Sequence, residues 1–306
     1  MKTCVICNDN SGKSGRTDEL RSNLNSDAQW VDLALEQDLD ATLARAVDRG
    51  CELVIAAGGD GTVNAVVNAL MKIDSARRPS LAIIPLGTAN DFACGTLAIP
   101  EEISEAVGIA LDPHSIVAMD VIHISGKGED RYYANVAAGG NCVRVSQALT
   151  DEIKNRWGAF SYLRGAIDVL ADMETYRISV ECDGETFNGL DSWAILVANG
   201  RTNAGRISVA PAASPADGLM DVVIIRDGGA VDMAEIVANN LLGRFLESKQ
   251  VIFRQAKVLT IDSSPAMRFT LDGEVVDTLP IRFQIEPASI RVHVSPTSDL
   301  KAPVFK

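Results

Sequence analysis

The chain has 306 residues, 47% of them hydrophobic and 23% charged, which suits a globular protein long enough for two domains. A formal net charge of −13 argues against general nucleic-acid binding, which needs a basic footprint, and removes bulk attraction to anionic lipid. No apolar run approaches the roughly 20 residues that span a bilayer, and the first, Cys4 to Cys7, is far too short for a signal peptide, so a soluble cytoplasmic protein is expected.

Thr3 to Cys7 reads as a first strand. It contains a C-x-x-C, but residues three apart on a strand point to opposite faces and make poor joint metal ligands. The six cysteines are otherwise scattered and read as reduced, mostly buried small residues. The histidines, His114, His123 and His293, are isolated and read as structural. Next comes the polar loop Asn8-Asp9-Asn10-Ser11-Gly12-Lys13-Ser14-Gly15, which lacks P-loop spacing, although Lys13 can reach a phosphate as a point charge. A helix is expected around Thr17–Ser26, a strand over Gln29–Leu35, and a helix over Asp40–Arg49 closed by Gly50.

Leu53 to Ala57 is an unbroken apolar run, the pattern of a strand buried on both faces. It ends in Gly58-Gly59-Asp60-Gly61, after which Thr62 or Gly61 opens a helix with Val63, Val66, Val67 and Leu70 on one stripe. Strand, glycine turn and helix N-terminus together make an anion site, because N–H groups and the positive end of the helix dipole point at the turn. The plainer reading is a tight turn with a capping Asp. Ser80 to Ile84 is the next buried strand and runs into a second glycine turn, Pro85-Leu86-Gly87-Thr88-Ala89-Asn90-Asp91-Phe92-Ala93. Open α/β sheets bind ligands at the carboxyl ends of their strands, so both turns should face one crevice. Alternating strands and helices imply a parallel, Rossmann-like sheet.

Beyond Asp112-Pro113 the pattern turns β-rich. Strands are expected at Val117–Ile124, Tyr132–Ala137, Arg177–Cys182, Ser192–Ala198, Met220–Ile225, Val251–Ile261, Met267–Leu271 and Ile281–Ile285. Helical stripes run over Trp157–Leu170 and Val231–Leu246. The expected organisation is an α/β nucleotide-binding domain over 1–120, to which the tail 288–306 returns, and a β-rich antiparallel, sandwich-like domain over 121–287. Asp217, in Ala210–Asp221, lies in a loop suited to a hard cation. Leu271-Asp272-Gly273-Glu274-Val275 is by itself a D-G hairpin turn that lifts Glu274 toward a cleft.

Four segments in this order, Gly58–Asn64, Pro85–Phe92, Asp217-Gly218-Leu219-Met220-Asp221 and Asp272-Gly273-Glu274, resemble the soluble lipid kinases with a diacylglycerol kinase catalytic domain, relatives of the sphingosine and ceramide kinases. The resemblance implies ATP in a cleft between an α/β domain and a β-sandwich-like domain. It matches Asn8, Asp9, Asn10, Ser11 and Gly12, with Lys13 close by, to ATP-contacting loops, and likewise Gly58, Gly59, Asp60, Gly61, Thr62, Val63, Asn64 and Thr88. It implies that Asp60 and Asp91 organise a catalytic Mg²⁺ and that Glu274 is the general base toward a lipid hydroxyl. Asp217, with the carbonyls of Ser214 and Leu219, matches a structural metal site. A lipid alcohol is the implied acceptor, with transient contact at a membrane surface. Oligomeric state is open, and a homodimer is compatible.

The chain departs from that pattern at Asn8-Asp9-Asn10, where the family usually has Asn-Pro, and at Cys94, where many members carry Arg. Leu33–Asp38 also lacks the usual Thr. Two other readings are weighed. An NAD kinase shares the Gly-Gly-Asp-Gly core but not Pro85–Phe92 or the Asp-Gly-Glu ending. A non-catalytic lipid- or nucleotide-binding protein fits poorly with Asp60, Asp91 and Glu274 all being kept.

Overall fold

The computed structural model describes residues 2–8, 15–24, 27–142, 173–271, 274–277 and 279–300. The first half alternates strands with helices: β1 (Lys2–Cys7), α1 (Arg16–Asn23), β2 (Gln29–Asp32), α2 (Leu39–Asp48), β3 (Cys51–Gly58), α3 (Asp60–Met71), β4 (Ser80–Pro85) and α4 (Ile103–Leu111). The strands are parallel in the order β2-β1-β3-β4. Their apolar runs are buried on both faces, as a parallel sheet covered by helices requires. The Asp38 side chain caps α2 by accepting from the Ala41 N–H at 2.9 Å. Helix α4 is an addition to the expected elements. Its N-cap is Glu102 rather than a short polar residue, and its apolar face, Ile103, Ala106, Val107 and Ala110, is buried.

The second half holds β5 (Ile116–Gly126), β6 (Glu129–Tyr133), β7 (Val136–Gly140), β8 (Tyr176–Cys182), β9 (Glu185–Ala198), the short pair β10 (Thr202–Asn203) and β11 (Ile207–Ser208), and β12 (Met220–Arg226). It continues with α5 (Ala230–Leu241), β13 (Val251–Ala256), β14 (Val258–Ser264), β15 (Phe269–Leu271), β16 (Glu274–Val276) and β17 (Ile281–His293). Apart from the touch of β17 on β4, the pairings of these strands are antiparallel. One apolar core lies inside the folded sheet and a second lies between β7, β9, β12 and α5.

Several expected elements differ in extent: β2 stops at Asp32 rather than Leu35, β9 begins at Glu185 rather than Ser192, and β17 runs on to His293 rather than ending at Ile285. The run expected over Tyr132–Ala137 is two strands, because the Asn135 carbonyl leaves the ladder to accept from the N–H groups of Asn199 and Gly200. The run expected over Val251–Ile261 breaks at Lys257, where the Asp183 carboxylate takes the N–H groups of Lys257 and Val258. The helix expected over Val231–Leu246 stops at Leu241, ahead of Gly243 in the left-handed region (φ 70°). The stripe Trp157–Leu170 lies outside the described residues.

Strand β17 joins the two halves. Its first part pairs with β14 and β5, it bulges between Glu286 and Ile290, and its last part pairs with the start of β5 and, at Val292, with Leu81 of β4. Arg78 stands behind this bulge. Its buried guanidinium donates to the Leu70 and Ile73 carbonyls at the end of α3, at 2.9 and 2.8 Å, and to the Ser289 carbonyl. A cation there satisfies helix-end carbonyls that would otherwise be orphaned. His293 is buried between Ser115 Oγ, 2.8 Å from Nδ1, and Ser80 Oγ, 3.2 Å from Nε2, a structural role.

Asp221 of β12 is 2% exposed. One carboxylate oxygen accepts from Gln255 Nε2 at 2.9 Å, and the other has no partner among the described residues. Burial first, and then the charge of Asp217, push its pKa up from 3.8 to about 6, against the bond from Gln255.

Two outcomes follow from this packing. Arg78→Ala leaves several buried carbonyls unpaired and should lower the urea unfolding free energy by about 2–4 kcal/mol. For Asp221 the folded pKa exceeds the unfolded one, so between pH 4 and 6 the native state holds a proton that the unfolded chain has released, and stability falls as pH rises. Chemical denaturation in EDTA should show wild type losing about 3 kcal/mol more than Asp221→Asn across that window, the share that Asp221 contributes.

Candidate active site

The crevice forms where β3 and β4 end side by side. Gly58 pairs with Pro85 in parallel register, and the Leu86 N–H donates to the Gly58 carbonyl at 3.1 Å. The two glycine turns then touch backbone to backbone. A Cβ on Gly87 would lie 2.5 Å from the Gly59 Cα, and one on Gly58 would lie 2.2 Å from Thr62 Oγ1. Neither position has room for a side chain, which is what the glycines supply. Helix α3 starts at once, with the Gly59 carbonyl accepting from the Thr62 and Val63 N–H groups. The first turn of α3 therefore faces the crevice with its N–H groups.

Asp60, the first residue of α3, reaches across to the second turn. Its carboxylate accepts from the Asp91 and Phe92 N–H groups at 3.1 and 3.0 Å and so caps the π-helical turn Asp91–Thr96. Asn90, just before it, is left-handed (φ 52°) and buried, and donates to the Gly87 carbonyl at 2.8 Å. Asp91 is 4% exposed. Burial raises its pKa, the N–H groups of Gly205 and Arg206 oppose this, and the negative charge of Asp60 raises it further. Two carboxylates close enough to repel one another at a helix N-terminus have the donor chemistry of a divalent-cation site.

The second half of the chain supplies the other wall. Thr202 Oγ1 donates to the Asp91 carbonyl at 2.9 Å, and the Arg201 N–H to Thr96 Oγ1 at 2.9 Å. The Asp91 carboxylate accepts from the N–H groups of Gly205, at 3.1 Å, and Arg206. Asn135 Nδ2 holds the Thr202 carbonyl, and Asn199 Nδ2 bridges the Asp120 and Ala134 carbonyls at 3.0 and 2.8 Å. The buried Oδ1 atoms of Asn90, Asn135 and Asn199 have no partner among the described residues. On the outer side of α3, a pocket of about 480 Å³ starts at Gly61 and Asn64 and runs to Arg131 and Tyr132 of β6.

The loop carrying Ser214, Asp217 and Leu219 is tied to the same junction through Asp120. The buried Asp120 carboxylate accepts from the Gly218 and Ala288 N–H groups at 2.7 Å each, and its own N–H donates to the Pro215 carbonyl. Asp217 is exposed and accepts from the Leu219 N–H at 3.0 Å. Burial raises the pKa values of Asp120 and Asp217, and the charge of Asp217 adds to the effect on Asp120 and Asp221. This acidic loop suits a hard cation. Among the described residues no three acidic, His or Cys side chains converge as a metal cage, so a cation here would rest on Asp217, main-chain carbonyls such as those of Ser214 and Leu219, and water.

Of the residues singled out in sequence, Gly58, Gly59, Asp60, Gly61, Thr88 and Asp91 come together at this crevice. Thr62, Val63 and Asn64 follow in α3 with buried side chains, Val63 in the core and Asn64 bonded to Asn68. Asn8 stands just past the end of β1, while Asp9, Asn10, Ser11, Gly12 and Lys13 lie outside the described residues. Glu274 is placed by register: it pairs with Leu271, which pairs with Ala137 two residues beyond Asn135. That sets it two strands, about 10 Å, from the crevice end of β7. Sequence reasoning did not find Asp120, Asn135, Thr202, Gly205 or Arg206.

A diacylglycerol kinase catalytic domain model matches residues 2–124, and a YegS C-terminal NAD kinase beta sandwich-like domain model matches residues 134–294. A diacylglycerol kinase of Staphylococcus haemolyticus is 35% identical over 254 residues, 82% of this chain and 74% of that protein. A crystal structure from Bacillus anthracis, described as a diacylglycerol kinase, has a TM-score of 0.72 at 20% identity and covers 97% of this chain and 98% of its own. An ATP-bound NAD kinase from Archaeoglobus fulgidus has a TM-score of 0.53 at 13% identity, covering 96% and 93%. The two structural likenesses are of fold. With an α/β domain followed by a β-rich domain, and with the sequence match running through both, the chain belongs to the diacylglycerol kinase family of lipid kinases.

Proposed function

We propose that this protein transfers the γ-phosphoryl group of ATP, with Mg²⁺, to the hydroxyl of a diacylglycerol-like lipid alcohol presented at a membrane surface. The observation that carries the reading is the meeting of two glycine turns and two carboxylates at the N-terminus of α3. Phosphoryl transfer is chiefly positioning and charge stabilisation, and that is what such a crevice offers. In this reading the main chain of Gly58–Gly61 and the hydroxyl of Thr88 cradle phosphate oxygens, with Asn8 and the segment through Lys13 closing the nucleotide side. Asp60 and Asp91 hold Mg²⁺, directly or through water. The bound ion supplies neutralisation of charge on the phosphate oxygens. Glu274 takes the proton of the acceptor hydroxyl.

The diacylglycerol kinase names of the relatives support the lipid acceptor, and the ATP-bound NAD kinase of like fold supports the nucleotide. No helix among the described residues is long and apolar enough to cross a membrane, so the acceptor would be met at a surface. That same fold likeness keeps NAD as the second acceptor worth testing.

The test is ³²P transfer from ATP by the purified protein to a panel of lipid alcohols in mixed micelles, with NAD in parallel. Label is expected in a lipid. Asp60→Asn keeps one of the two acceptors of the π-helical turn, so loss of label in that variant with an unchanged circular dichroism spectrum reports on chemistry rather than on folding. Glu274→Ala should slow transfer by about 10²–10⁴-fold. Wild-type rates in both variants would sink the mechanism, and label in NAD alone would replace the acceptor. For the acidic loop, Mg²⁺ should raise the melting temperature of the wild type, and Asp217→Ala should abolish that increment while sparing most secondary structure by circular dichroism.

A further inference from the structure

Ala204, Gly205 and Arg206 are three consecutive residues in the left-handed region, with φ of 55°, 90° and 67°. Two of them carry side chains, and such residues rarely adopt this conformation. Backbone strain of this kind persists only where the surroundings over-determine it. Here they do. Ahead of the turn, Asn203 Oδ1 accepts from the Ala204 N–H at 2.9 Å, and Thr202 Oγ1 is bonded to the Asp91 carbonyl. Behind it, the strand pair β10–β11 closes, and Asn240 of α5 holds the Ser208 carbonyl at 2.6 Å. The Arg206 guanidinium is braced against the Glu101 carboxylate and approaches the Ala89 carbonyl at 3.4 Å.

Successive backbone N–H groups in a turn can converge on one side and make a concavity for an anion. The anion in this concavity is the Asp91 side chain, which takes both the Gly205 and the Arg206 N–H. Asp60, by contrast, is fixed from within its own domain, by the N–H groups of Asp91 and Phe92. The two carboxylates of the crevice are therefore oriented from different domains.

We propose that the Ala204–Arg206 turn is a positioning element for phosphoryl transfer: its paired backbone N–H groups, delivered across the domain junction, hold the Asp91 carboxylate in the orientation in which it shares a divalent cation with Asp60. The inference rests on the lipid-kinase reading above and adds to it that the cation site is complete only when the second domain is docked. Arg206 has no contact with substrate in this role; it clamps the turn.

The turn can be altered without touching either carboxylate. Gly205→Val places a β-branched residue where φ is positive and should displace both N–H groups. Gly205→Asn tolerates that conformation and is the rescue variant. Mn²⁺ binding is read by electron paramagnetic resonance on the full chain with a non-hydrolysable ATP analogue, in an Asp217→Ala background that removes the cation of the acidic loop. Loss of groups that orient a metal-binding carboxylate typically weakens metal binding by about 10–100-fold, and that loss is expected in Gly205→Val, with most of it recovered in Gly205→Asn. In the transfer assay the same variant should need correspondingly more Mg²⁺, with the KM for lipid unchanged. If Gly205→Val folds poorly, Arg206→Val repeats the test at a half-exposed position. Wild-type Mn²⁺ affinity in a folded Val variant overturns the proposal. A wild type that binds Mn²⁺ and nucleotide but labels no acceptor would overturn the lipid-kinase reading and leave the metal result standing.

Discussion

The close approach of Gly87 to Gly59 sets everything else at this crevice. With 2.5 Å between a hypothetical Cβ and the neighbouring Cα, the two turns can meet only as bare backbone. That contact draws the start of α3 against the start of the π-helical turn and brings Asp60 within hydrogen-bond reach of the Asp91 N–H. One carboxylate thus becomes the cap of the helix that carries the other. Each does structural work and still has lone pairs left for a ligand, so both carboxylates are oriented before anything binds. Preorganised polar groups of this kind need little reorganisation during a reaction.

The junction between the halves follows a different rule. Buried main-chain groups there are held by short side chains, with Asp120, Asn135, Asn199 and Thr202 each bonded to backbone remote in sequence, and the Thr202 bond to Asp91 crosses from one half to the other. Buried hydrogen bonds of this kind specify one register, since a slip would leave several donors unpaired at once. A greasy interface would allow sliding. This one ties the acidic loop at Asp217 to the bulge in β17 through a single carboxylate.

Much of the α/β half was legible because a parallel strand announces itself as an unbroken apolar run and a glycine turn as a run of glycines. Strand β3, the two turns and α3 emerge within a residue or two of their expected ends. The β-rich half was legible in its strands but not in their interruptions. Lys257 and Asn135 break ladders because a remote side chain or remote backbone competes for their main-chain groups, and no local pattern carries that information. Helix α4 went unread because its small, apolar composition and Glu cap lack the usual start signal. Within the candidate site, the two carboxylates, Asp60 and Asp91, stand in glycine-rich motifs. Gly205 and Arg206, which bond Asp91 through backbone, have no residue-type mark, since left-handed geometry at an arginine is imposed by its surroundings.

Strand β17 has a consequence for how the molecule comes into being. Its last residues lie beside β4, and Arg78 reaches the Ser289 carbonyl across 211 positions of sequence. Until those residues are synthesised, β4 is an edge strand, apolar and buried along its whole length in the finished protein. An unprotected apolar edge is a template for pairing with other chains. The α/β half, although first off the ribosome, therefore cannot seal its own sheet, and contacts of such long range close slowly. A nascent chain halted before Ile281 carries an open seam at the strand that ends in the crevice.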